Sequence, residues 1–283
     1  MNKCAGAPNI SHFANYLLKQ KKSENTIKTY QRVLQSFENW LEKNNKSIIS
    51  FTRSDIQLYM DYLTSVQKSD STIDKSFNAI RSFTRYLNQP QLTDGIKYKK
   101  RMNNNPLPEG LTKDEINNLL TLVQEKENKR NVAIVYTLLF TGIRVSELCA
   151  LNRSDLKENG QNTSLVVSNQ ESSKKKKRIL PIPKQVIEYL NLYLSSRNDD
   201  NDALFVSNYR KRISPRTVQH MLNRYNVYPH KFRHTFCYEL ARKGVDLSII
   251  ATLAGHSDIN ITKQYFNPLV KGDLEQAVNQ IFI

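Results

Sequence analysis

Apolar residues recur at alternating steps of three and four between Ser23 and Lys43, at Ile27, Tyr30, Leu34, Phe37 and Leu41. On a 3.6-residue helix this spacing draws a single stripe, whereas a strand would need alternation at every second position. The pattern returns at Ile56, Tyr59, Met60 and Leu63, and again at Ile73, Phe77, Ile80, Phe83 and Leu87. A shorter helix is expected around Phe13, Tyr16 and Leu17. Each helix has one apolar face to bury, so residues 1–96 read as a helical bundle. Glycine, which would interrupt such helices, occurs only eight times in 283 residues.

Residues 97–108 break the pattern. The run from Lys97 to Pro108 holds four cations and ends in two prolines, as an interdomain linker would. Its cations suit a phosphate backbone as well as they suit solvent. The second domain, residues 109–283, opens with Thr112 and Glu115 at capping-box spacing, ahead of Ile116, Leu119, Leu120 and Val123. A helix from Asn128 to Thr141 should stop at Gly142, and Arg144 should begin the next. Leu165–Val167 and Ile179–Ile182 read as two strands of a hairpin around a polar turn. Helices resume at Val186–Leu194 and Val218–Leu222. A final stripe of Leu274, Ala277, Val278 and Ile281 predicts a C-terminal tail helix.

Forty-two lysines and arginines face 26 acidic residues, a formal net charge of +16. A polyanion is the partner such a surface favours, because each neutralised phosphate releases counterions. A membrane is not expected: the apolar run from Val132 to Phe140 is far shorter than the roughly 20 residues a span requires. Cys4, Cys149 and Cys237 are scattered, with neither disulfide framework nor metal spacing. With no signal-peptide core at the N-terminus, a reducing cytoplasm is the expected location.

The chemistry concentrates in three segments. Thr141–Leu148 supplies Arg144 at a helix start. Pro229–His234 places His230 and Arg233 on one helical face. Glycine turns at Gly244 and Gly255 swing the chain back, bringing His256 and then Tyr265 toward them, Tyr265 on one more short helix closed by Asn267-Pro268. Two guanidinium groups match the non-bridging oxygens of a phosphodiester under attack. The histidines donate hydrogen bonds or move protons. Tyr265 offers an oxygen nucleophile, and a lysine from the run Lys174–Lys177 offers a proton to a departing oxygen. Singly, each residue has a plainer reading. Tyr265 is one of 14 tyrosines, Arg144 and Glu147 form an ordinary i, i+3 pair, and His256 caps a helix. His230 and His234 have the spacing of a zinc pair, but Lys231 stands where a metalloprotease needs glutamate. No metal or other cofactor is expected.

In order and in spacing these segments resemble the tyrosine recombinase (phage integrase) family. Thr-Gly-Ile-Arg-Val-Ser-Glu-Leu is similar to its first arginine box, and Pro-His-Lys-Phe-Arg-His-Thr-Phe to its His-x-x-Arg box. Leu-Ala-Gly-His-Ser-Asp-Ile-Asn-Ile-Thr-Lys-Gln-Tyr-Phe is similar to its Gly-His and tyrosine box. The resemblance spans both domains. It implies a mainly α fold: a SAM-like core-DNA-binding bundle followed by a mostly helical catalytic domain with a small β-hairpin or sheet. It implies that Arg144, His230, Arg233 and His256 surround the scissile phosphate, that Glu147 supports the first arginine's helix, and that Tyr265 forms a 3′-phosphotyrosine bond. The partner would be a double-stranded DNA recombination site. Four protomers, joined through the C-terminal tail, would exchange strands through a Holliday junction. The family's catalytic lysine lies in the hairpin turn, often between glycines. Here Ser168–Lys174 forms a longer turn without glycine, and ungapped counting lands on Ser173, so a shift of register gives Lys174, with Lys175 next.

Size and N-terminal sequence are most similar to transposon-encoded cointegrate resolvases of the TnpI type, since no separate arm-binding domain fits ahead of the first helix. Chromosome- or plasmid-dimer resolution recombinases and simple integrases are the alternatives. A DNA-binding protein without turnover, or a topoisomerase using the same phosphotyrosine, are the readings outside recombination.

Overall fold

The computed structural model describes residues 10–98, 110–159, 162–168, 177–256 and 258–266. The chain divides into two units, residues 1–104 and 105–283, each with its own hydrophobic core.

The first unit contains helices α1 (Ile10–Lys19), α2 (Glu24–Lys43), α3 (Arg53–Ser65) and α4 (Asp70–Tyr86), then a 3-10 turn at Pro90–Thr93. Short hydroxyl side chains start three of these helices. Ser23 accepts from the Thr26 N–H, Ser69 from the Thr72 N–H, and Thr52 exchanges hydrogen bonds with Asp55 in a capping box. Such caps contribute about 1 kcal/mol each. Ile27, Leu34, Phe37 and Leu41 of the first stripe are buried; Tyr30 is half-buried, its ring against the core. Aromatic rings interlock edge to face, Phe13 with Phe83 at 5.3 Å and Phe37 with Phe51 at 5.4 Å between centroids. At about 1.5–3 kcal/mol per buried large side chain, this packing outweighs the caps.

The second unit is arranged around α6 (Lys129–Thr141), buried without interruption from Asn131 to Leu139. Helices α5 (Lys113–Lys126), α8 (Lys184–Leu194) and α10 (Pro229–Arg242) pack against it. The expected Thr112–Glu115 capping box starts α5. Between α7 (Val145–Ala150) and α8 lies an antiparallel sheet in the order β1 (Leu156–Asn159), β2 (Asn162–Ser168), β3 (Lys177–Pro181). Leu165 stands opposite Leu180, and Val167 opposite Arg178. Helices α9 (Pro215–Asn223), α11 (Leu247–Ala254) and α12 (Ile259–Lys263) complete the described residues.

The mainly helical architecture with a small sheet agrees with the sequence reading, with one addition and one correction. The expected hairpin is β2–β3, and a third strand joins it: β1 (Leu-Lys-Glu-Asn) carries a single apolar residue and leaves no alternation to read. Tyr265 was expected on a helix, but α12 ends at Lys263 and Tyr265 lies in the turn beyond, its N–H donating to the Thr262 carbonyl. The linker core 99–109, the turn 169–176 and the tail stripe at 274–281 lie outside the described residues. No helix among the described residues is long and apolar enough to cross a membrane.

Candidate active site

Two left-handed glycines place the cationic groups. Gly142 ends α6 at φ 61°, and a Cβ there would meet the Phe236 ring at 2.4 Å. Only glycine accepts both that conformation and that contact. The turn aims the Gly142 carbonyl at Arg233, whose Nη1 donates to it at 2.9 Å. Two residues on, Arg144 caps α7, and its backbone N–H donates to Glu147 Oε2 at 2.8 Å. Gly255 ends α11 at φ 68°, and its carbonyl accepts from both Nη atoms of Arg144 at 3.3 Å.

Glu147 is the hub. It is 2% exposed and takes a bidentate pair from Arg178 on β3, at 2.8 and 2.9 Å, with Arg144 Nη1 at 3.3 Å. Burial alone would raise its pKa, but Arg178 and then Arg144 outweigh burial and hold it below the ordinary carboxylate value. Arg178 also donates to the Leu253 carbonyl at 3.0 Å and lies against Gly255, where a Cβ would come within 2.7 Å of its guanidinium. One arginine thus joins β3, α7 and the end of α11.

Arg233 is 4% exposed. Burial and the nearby Arg144 charge lower its pKa to about 10, so it stays a cation at neutral pH. Its Nη2 is buried and has no hydrogen-bond partner among the described residues. His256 Nδ1 meets Thr262 Oγ1 at 2.7 Å, and its ring lies parallel to Tyr265 at 6.4 Å. Burial, then the charges of Arg233 and Arg144, push His256 down to about 4, so it is neutral at pH 7.

Tyr265 is 6% exposed in a small cluster with Cys237, Ala241, Ile250 and Ala254. Its hydroxyl lies 2.7 Å from His234 Nδ1. Burial and Cys237 raise the phenol's pKa, and the opposing pull of Arg233 does not offset them. Burial in turn pushes the Cys237 thiol up to about 11.

Of the residues expected from sequence, Arg144, Arg233, His256 and Tyr265 converge within reach of one another's charges. His230 is exposed in the first turn of α10, its ring 6.1 Å from that of His234. Lys174, like Lys175 and Lys176, lies outside the described residues, while Lys177 opens β3 with its side chain exposed. Arg178 and Thr262 escaped the sequence reading altogether. Spacing offers His234 only as half of a zinc pair; its neighbour in the fold is Tyr265, 31 residues away. Arg144 and Glu147, an ordinary i, i+3 pair by spacing alone, belong to a cluster in which Glu147 is buried and Arg144 and Arg178 are part-buried.

Residues 109–271 match the Phage integrase family and residues 10–91 its N-terminal SAM-like domain. The chain belongs to the phage integrase family of tyrosine recombinases. Members of this family are enzymes that cleave and rejoin DNA. This recombinase is 31% identical to tyrosine recombinase XerA of Pyrococcus furiosus, over 96% of its own chain and 93% of the relative. It is 28% identical to the TnP I resolvase of Bacillus thuringiensis, over 90% and 94%. Its fold is that of the site-specific recombinase XerH in the post-cleavage complex with a palindromic difH substrate. The TM-score is 0.72 at 20% identity, covering 89% of this recombinase and 78% of XerH.

Proposed function

We propose that Tyr265 attacks a DNA phosphodiester, forming a 3′-phosphotyrosine bond and releasing a 5′-hydroxyl, and that the reverse step rejoins the strand. Arg233 carries this reading. A buried guanidinium whose Nη2 has no partner among the described residues costs several kcal/mol unless an anion approaches it. A non-bridging phosphate oxygen supplies both the charge and the acceptor. Arg144, fixed by Glu147 and Gly255, takes the other side of the same phosphate. In this reading the Thr262 hydroxyl donates to His256 Nδ1, which puts the ring proton on Nε2 and turns it to the phosphate. His230 adds a second imidazole at the rim, and Lys174 protonates the departing 5′-oxygen. The phosphotyrosine bond conserves the energy of the bond it replaces, so rejoining draws on no nucleotide.

The test is capture on a nicked half-site followed by denaturing electrophoresis. Wild type should accumulate a covalent protein–DNA adduct and Tyr265→Phe none; equal adduct from both would remove Tyr265 from its role.

Cointegrate resolution in a transposon is the biological role we infer, supported by the similarity to the TnP I resolvase. The similarity to XerA supports a second role, dimer resolution on a chromosome or plasmid. Mapping bound sites across host DNA separates them: paired, partly palindromic sites beside a transposase gene support the first, and one solitary chromosomal site the second. Four protomers would act together in the cytoplasm through a Holliday junction, with the segment after Gly272 docking on a neighbour. Deleting residues 273–283 should then impair pairing of two sites more than binding of one; unaffected pairing would count against the docking.

A further inference from the structure

The scheme above leaves one proton without a destination, that of the Tyr265 hydroxyl. We propose that His234 is the general base of the cleavage step: its Nδ1 takes this proton as the Oη–phosphorus bond forms and returns it as the bond breaks. The inference rests on Tyr265 being the nucleophile.

Geometry comes first. The Nδ1–Oη separation of 2.7 Å is within the range a proton transfer needs. The rings are tilted by 42° with centroids 5.8 Å apart. His234 follows Arg233 on α10, so the helix that presents a phosphate ligand also presents the base. Two neighbours are poorly suited to the task. Cys237, one turn along, holds its own proton because burial raises the thiol. His256 has its Nδ1 committed to Thr262 at 2.7 Å.

Electrostatics explains why the pair is inert before DNA arrives. Burial, followed by His230 and Arg233, lowers His234 to about 4, so the ring is neutral and Nδ1 accepts from the phenol. The phenol, raised by burial, keeps its proton. A phosphodiester bound at Arg144 and Arg233 adds a negative charge that offsets the cations depressing the imidazole. Bonding of Oη to phosphorus makes the phenolic proton far more acidic at the same moment. The O–H pair stays on Oη and becomes the new bond, while the proton passes to Nδ1. The P–O5′ pair leaves on the 5′-oxygen, which is protonated by the hairpin lysine. On rejoining, the 5′-hydroxyl gives its proton to that lysine, and Oη recovers its own from His234.

Single-turnover cleavage of a nicked half-site, with site binding measured in parallel, tests this. His234→Gln keeps an acceptor for the hydroxyl but cannot take a proton; His234→Ala keeps neither. Both should bind the site as wild type does and cleave about 10²-fold slower or more, the usual scale of general-base assistance. Added imidazole should restore His234→Ala, in proportion to its free-base form. Wild-type cleavage by His234→Gln would reduce the contact to positioning and overturn the proposal. So would loss of site binding in both variants, or failure of imidazole to restore any rate. Absence of adduct dependence on Tyr265 would instead overturn the nucleophile assignment, so the two failures are distinguishable.

Discussion

The two cores of this recombinase are built on different terms. The first unit buries rings and aliphatic chains, and the one buried acid among its described residues, Asp55, serves a helix cap. The second buries Glu147 and Arg233 in the same fold that holds its apolar centre. In the first, removing a side chain leaves a cavity. In the second, removing a charge leaves its partner stranded in low dielectric, where the cost is paid in chemistry as well as in stability.

The largest expected effect breaks the second core at its ligand. Arg233→Ala should lower single-turnover cleavage about 10²–10³-fold, the scale for losing one preorganised donor at a developing oxyanion, while site binding holds because many other contacts carry it. Loss of binding as large as loss of cleavage would show that the two functions are not separable here. Next come two substitutions of similar size and different reach. Glu147→Ala strands two arginines and should cost about 3–5 kcal/mol. Phe37→Ala should cost about 3–5 kcal/mol through its cavity. Trp40 is the chain's only tryptophan and lies on Phe37, at 6.4 Å between ring centroids. Denaturant unfolding followed by its fluorescence should therefore report Phe37→Ala directly, whereas far-ultraviolet circular dichroism should report both variants. Equal shifts of the tryptophan signal would mean that the cores unfold as one.

The smallest effect is with pH. His234 and His256 titrate near 4 in the fold against an ordinary 6.5, so as pH falls below 6.5 the unfolded chain takes up protons first and stability declines toward pH 4. Glu147, held low, contributes fully above the unfolded carboxylate pKa and is lost as pH falls through its folded value, so it acts in the same direction. The first unit's one histidine, His12, is exposed. The first unit's tryptophan transition should move less between pH 6.5 and 4 than the far-ultraviolet dichroism transition, which reports both units, and the reverse order would contradict the contrast.

The same contrast explains what could be read in the sequence. Ile27, Leu34, Phe37 and Leu41 announce their burial by spacing alone, and Gly142 and Gly255 announce their turns, because both signals are local. Arg144, His230, Arg233, His256 and Tyr265 were legible as motifs. Arg178 was not: it follows a lysine run, and its meaning depends on Glu147, 31 positions earlier. His234 was hidden for the same reason, since no periodicity links α10 to a turn beyond α12. β1 carries too few apolar residues to show a pattern, and Tyr265 left its expected helix for a 3-10-like bond to Thr262.

Arg178 has a consequence for how this hairpin tolerates change. It faces Val167 across the ladder, and a slip of one residue would turn its side chain to the opposite face of the sheet, releasing Glu147 and the Leu253 carbonyl together. Insertions or deletions inside β3 are therefore heavily penalised. A connection between strands carries no register of this kind, and lengthening one costs only fractions of a kcal/mol per added residue. Changes of length are therefore accommodated in connections and not within β3, where one arginine holds the strand in register with two other segments.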